Sequence, residues 1–139
     1  MSVPMVYRPA DGSGIGLPLR VAALALLGLA VALQRLLPLR AVLAIAHTVK
    51  RPRRPTRRQS VERYVTAAAW AGDRFPGRAA CLEQSLTAYL LCSLHGWNVD
   101  WCIGCRFDPA AAHAWIEAEH QPVGEPDVPD RPLHTTVRS

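Results

Sequence analysis

The sequence predicts an α+β fold in which a cysteine-bearing helix packs on a small antiparallel sheet, preceded by an N-terminal helical region. Apolar residues recur at helical spacing as far as about residue 95, and from Val99 the period changes to two. Turn-forming residues punctuate the change, at Phe75-Pro-Gly77 and His95-Gly96. With 139 residues, half of them apolar and 19% charged, the chain has the size of one domain and enough apolar side chains to bury a core.

Residues 1–16 contain Pro and Gly and read as a flexible leader. A signal peptide would begin with basic residues followed directly by an apolar core. Four cysteines are too few for a dense disulfide scaffold, so free thiols and a cytoplasmic location are expected. Residues 17–49 are rich in Leu, Ala and Val. Their longest uncharged run, Val21 to Gln34, is bracketed by Arg20 and Arg35 and is shorter than the roughly 18–20 residues a membrane span needs. Pro38 interrupts any continuation. This region is expected to form one or two buried or mutually packed helices. A peripheral membrane contact or a docking face for a partner is the other reading.

Residues 50–59 form a basic Pro/Arg linker. The run Lys50-Arg-Pro-Arg-Arg-Pro-Thr-Arg-Arg58 holds six of the sixteen basic residues, and without it ten basic residues face eleven acidic ones. The net charge of +5 is therefore local, and no nucleic-acid partner is expected from it. Beyond the linker, Ser60 is placed to cap a helix over about 61–73, with Val61, Val65, Ala68 and Ala69 as its apolar stripe. A second helix is expected over 78–95, with Leu82, Leu86, Tyr89, Leu90 and Leu94 on one face and His95-Gly96 as its stop. Val99, Trp101, Ile103, Cys105 and Phe107 then alternate with polar or small residues as a half-buried strand. Asp108-Pro109 breaks that strand. A second follows at about 113–118 and a short third segment at 122–125. Residues 128–139 are polar and Pro-rich and are expected to be a flexible tail, leaving 60–127 as the globular unit.

Three residue types carry chemistry in this pattern. Cys81 opens the strongest helix, where unpaired amides and the partial positive charge of a helix N-terminus stabilise a thiolate and can receive an oxyanion. His113 stands at the start of a strand, on a mixed face with Trp115 and Glu117. There its imidazole can serve as base for the thiol and as acid for a leaving amine. A carboxylate should accept the other imidazole N–H. Glu125 is the first candidate, with Asp127 and Glu117 as alternatives, Glu117 being set back two pleat repeats along the same strand. Cys102 and Cys105 suggest a metal or redox pair, but residues three apart on a strand point to opposite faces, so the sulfurs diverge. Cys92 is eleven residues from Cys81 on one helix, about 16 Å along its axis, too far for a disulfide. No metal or cofactor is expected, and His47, His95, His120 and His134 read as ordinary surface or packing residues.

The stretches Gly77-Arg-Ala-Ala-Cys81-Leu-Glu-Gln-Ser-Leu86, Gly104-Cys-Arg-Phe-Asp-Pro-Ala-Ala-Ala-His113-Ala-Trp-Ile-Glu117 and Pro122-Val-Gly-Glu125 resemble the lasso-peptide leader peptidases. These are transglutaminase-like, papain-like cysteine proteases of ribosomal-peptide maturation. The resemblance covers about residues 60–127, which it identifies as the protease domain. It implies a triad of Cys81 as nucleophile, His113 as general base and an acid at Glu125, where the family usually has Asp. It further implies the lasso precursor as substrate and, since no leader-recognition domain is evident here, a separate small leader-binding protein. An asparagine-synthetase-like cyclase would act next. An acyl transferase on the same fold, and a non-catalytic membrane-associated scaffold built on residues 17–49, are the alternative readings.

Overall fold

The computed structural model describes residues 15–49, 58–74, 81–106, 111–118, 121–123 and 134–138. Among the described residues four helices precede four strands: α1 (Leu17–Leu36), α2 (Leu39–Val49), α3 (Arg58–Arg74), α4 (Cys81–Leu94), β1 (Asp100–Arg106), β2 (Ala111–Ala118), β3 (Gln121–Val123) and β4 (His134–Arg138). The leader up to residue 14 and most of the basic run, residues 50–57, lie outside the described residues.

Pro18 sits in the first turn of α1, where a missing amide costs nothing. The helix ends at Leu36, just ahead of Pro38, whose carbonyl accepts the amide of Ala41 as α2 begins. With 20 residues, α1 takes in both Arg20 and Arg35, and by length and composition it is long and apolar enough to cross a membrane. Its inner face, however, is Ala23, Leu27, Ala30 and Val31, all buried. Leu27 packs with Ala67 and Trp70 of α3 and with Leu91 of α4. Arg20 reaches over the Trp70 ring at 5.2 Å, and Arg74 over the same ring at 4.4 Å.

The helix α3 starts at Arg58, so Ser60 is its third residue and not the expected cap. Its stripe is wider than Val61, Ala68 and Ala69, since Ala67, Trp70 and Ala71 are buried as well. The helix α4 is central. Every residue from Leu86 to Ser93 is buried, because α1, α2, α3, β1 and β2 all contact it. The expected single apolar face is therefore replaced by burial all round, with Leu94 turned out to solvent. The helix stops at a Schellman motif: the amide of Gly96 bonds to Ser93 O at 3.1 Å and that of Trp97 to Cys92 O at 2.9 Å, with φ of +82° at Gly96. The Tyr89 hydroxyl donates to Ala46 O across 2.5 Å and ties α4 to α2. One core thus runs from Ala30 and Val42 through Val61 and Leu86 to Trp101 and Ile116, spanning both sides of the basic run.

The strands form one antiparallel sheet in the order β3-β2-β1-β4. In the β1–β2 register Trp101 faces Ile116, Cys102 faces Trp115 and Gly104 faces His113. The expected structureless tail needs correction, because His134–Arg138 pairs with β1 as an edge strand. Two features hold it there. Arg138 Nη1 lies 3.1 Å from Asp100 and 2.6 Å from the buried Glu117 carboxylate. At Gly104, any Cβ would overlap the backbone carbonyl of His134 and come within 2.9 Å of the Trp115 ring, so only glycine allows the approach.

Candidate active site

The amide-rich N-terminus of α4 opens on a cleft. Its wall on α4 is Cys81, Gln84, Ser85 and Ala88, on consecutive turns of one helix face. Small residues of α3, Val65, Ala68 and Ala69, form a second wall, and β2 contributes His113 to Ile116. The cleft is open on one side and has a volume of about 460 Å³, the solvent at its mouth included.

Two of the three predicted site residues therefore line one cleft. Cys81 is the first residue of α4 and His113 the third of β2, and both are partly exposed. The His113 ring lies nearly parallel to that of Trp115, with centroids 6.0 Å apart and planes at 16°. Trp115 is fully buried and immobilised, its indole N–H donating to Glu117 Oε2 at 2.9 Å. The imidazole thus has a rigid aromatic neighbour on its own strand face. Glu117 is otherwise engaged: Trp115 takes one of its oxygens and Arg138 the other. Both contacts brace the sheet. Glu125 and Asp127 lie outside the described residues.

Two of the other cysteines, Cys92 and Cys102, are buried. Burial pushes the Cys92 thiol up to about 12. Cys102 is likewise pushed up to about 12, by burial first and by the Glu117 charge second. Neither is a nucleophile at neutral pH. Cys102 is fully buried whereas Cys105 is partly exposed, in line with opposite faces of β1. His95 is a packing residue, its ring 4.6 Å from Tyr64 and its Nδ1 at 2.7 Å from Leu91 O.

Sequence reasoning passed over Gln84 and Ser85. Their spacing of three and four from Cys81 puts them on its helix face, which was the available signal. Ser85 Oγ accepts the Trp101 indole N–H at 2.9 Å, fixing the start of α4 to the sheet. The Gln84 side chain lies against Gly72, where a Cβ would overlap it. That glycine in the last turn of α3 leaves room for the amide at the cleft wall.

A thiol at a helix N-terminus and an imidazole lining the same cleft are the groups that nucleophilic attack on a carbonyl needs. The family comparison agrees at the level of the fold. The model of the transglutaminase-like superfamily matches residues 23–138, from within α1 to the end of β4. The chain belongs to the transglutaminase-like superfamily, which includes cysteine peptidases and acyl transferases. Searches of curated proteins and of solved structures gave no match.

Proposed function

We propose that the protein is a cysteine peptidase that removes the leader from a ribosomally made lasso precursor, acting with a separate leader-binding protein. The observation that carries this reading is the shared cleft of Cys81 and His113, with the nucleophile on the first residue of α4. The motif resemblance around both residues supplies the substrate class.

In this mechanism His113 takes the Cys81 proton, and the thiolate attacks the scissile carbonyl carbon. The first-turn amides of α4 face the resulting oxyanion. Collapse of the tetrahedral species breaks the C–N bond, and the imidazolium gives its proton to the departing core-peptide amine. The leader remains as a thioester on Cys81. Water, deprotonated by His113, then attacks that thioester and releases the leader with a free carboxylate. The freed amine is the group a cyclase would use to close a macrolactam. Glu125 is the proposed acceptor for the second imidazole N–H.

The test uses the full chain, a lasso precursor and a leader-binding protein, with products read by mass spectrometry. Cys81→Ala should abolish cleavage while leaving the fold intact, and His113→Ala should slow it by about a hundredfold or more. Cleavage that survives Cys81→Ala overturns the reading. Acyl transfer to an amine is the second reading, since the superfamily includes acyl transferases. It predicts an amidated leader in place of a free carboxylate.

A further inference from the structure

The outer face of α1 points to a second interaction. Leu17, Val21, Leu24, Leu29 and Leu36 are between 39% and 81% exposed, at spacings that keep them on one side of the helix. Ala25 between them is exposed too, and a Cβ at Gly28 would meet open space. Arg35 lies in the last turn of α1 and Arg40 at the start of α2, and both are exposed.

Charge sets the kind of partner. Between residues 12 and 61 the sequence holds nine Lys and Arg and no Asp or Glu, whereas residues 62–139 hold six basic and ten acidic residues. An apolar helix face set in an acid-free, strongly basic half of the chain complements an anionic bilayer surface, whose headgroups attract Lys and Arg while acyl chains take the Leu side chains. A second copy fits poorly, since it would bring two basic halves together. Crossing the membrane fits poorly as well. It would strip Leu27 and Val31 from their packing on α3 and α4.

We propose that the outer face of α1 is a docking surface by which the folded protein lies on an anionic membrane, with α1 in the interfacial plane. This is independent of the peptidase reading and survives its failure.

The experiment is co-sedimentation of the full chain with vesicles of phosphatidylglycerol and phosphatidylcholine, against phosphatidylcholine alone, at low and high salt. Binding to the anionic vesicles is expected, weakened by salt. Leu24→Asp with Leu29→Asp, and separately Arg35→Glu with Arg40→Glu, should each weaken it by about tenfold or more. Circular dichroism and thermal unfolding should confirm that both variants fold. The proposal is overturned if the chain ignores anionic vesicles, or if folded variants bind as the parent does. It is also overturned if Leu24→Asp with Leu29→Asp abolishes self-association in a chain that binds no vesicle, or if the chain resists extraction from membranes as a spanning protein does.

Discussion

The indole N–H of Trp101 donates to the hydroxyl of Ser85 across 2.9 Å, joining β1 to α4 one turn beyond Cys81. Ser85 Oγ also lies 3.1 Å from Leu82 O, so the hydroxyl links the sheet to the first turn of the helix. Ser85→Ala leaves a buried indole N–H without its partner and should cost about 1–3 kcal/mol in chemical denaturation. In the Trp101→Phe background the same Ser85→Ala change should cost markedly less, because the bond is already gone.

Gly72→Ala separates the cleft from stability. Alanine favours a helix over glycine by about 1 kcal/mol, and the atoms it meets belong to the flexible Gln84 side chain. Thermal unfolding should therefore change little. Displacing Gln84 alters the cleft wall, so on the proposed function kcat/KM for precursor cleavage should fall several-fold.

Gly104→Ala should behave in the opposite way. Its methyl group meets the backbone of β4 and the buried Trp115 ring, neither of which can move aside cheaply. A loss of about 1–3 kcal/mol is expected. Hydrogen exchange should show β4 amides losing protection first.

Arg138→Ala leaves the Glu117 carboxylate buried without its counter-charge. Because Arg138 is itself partly exposed, the cost should be about 2 kcal/mol, below that of a fully buried pair. Adding Glu117→Gln should restore much of the loss, as the most deeply buried charge is then gone. Equal destabilisation of the single and double variants in denaturation curves would contradict this account.

The buried thiols predict an alkaline limit. Both Cys92 and Cys102 are raised from 9.0 to about 12 in the folded chain. Below pH 9 neither state ionises them and stability is unaffected. Between 9 and 12 the unfolded chain releases protons that the folded chain keeps, so stability falls as pH rises. Each thiol contributes a loss of about 1 kcal/mol per pH unit in that window. A urea titration across it measures the slope. Alkylation at neutral pH should label Cys81 and Cys105 and spare the other two until denaturant is added.

Much of this architecture was legible in the sequence. The change of period at Val99 located β1, and the Gly96 stop of α4 followed from backbone chemistry alone. Cys81 could be placed at a helix start because the turn-forming pair Pro76-Gly77 precedes it in sequence. β4 could not be read in the same way. His134-Thr-Thr-Val-Arg138 has no apolar alternation, and it is held by an ion pair to Asp100 and by the missing side chain of Gly104, both at least 30 residues from their partners in sequence. The all-round burial of α4 was likewise hidden, since Thr87 and Ser93 read as surface residues. Thr87 Oγ1 satisfies itself on Glu83 O at 2.8 Å, which is what lets a polar residue sit inside the core.

The burial of α4 on every side has a regulatory consequence. Its first turn carries Cys81 into the cleft, while the eight residues behind are clamped by three helices and two strands. Shifting the helix to withdraw the Cys81 thiol would mean dismantling the core, so on the proposed function a conformational switch would have to act elsewhere, for example on the arrival of the peptide chain in the cleft.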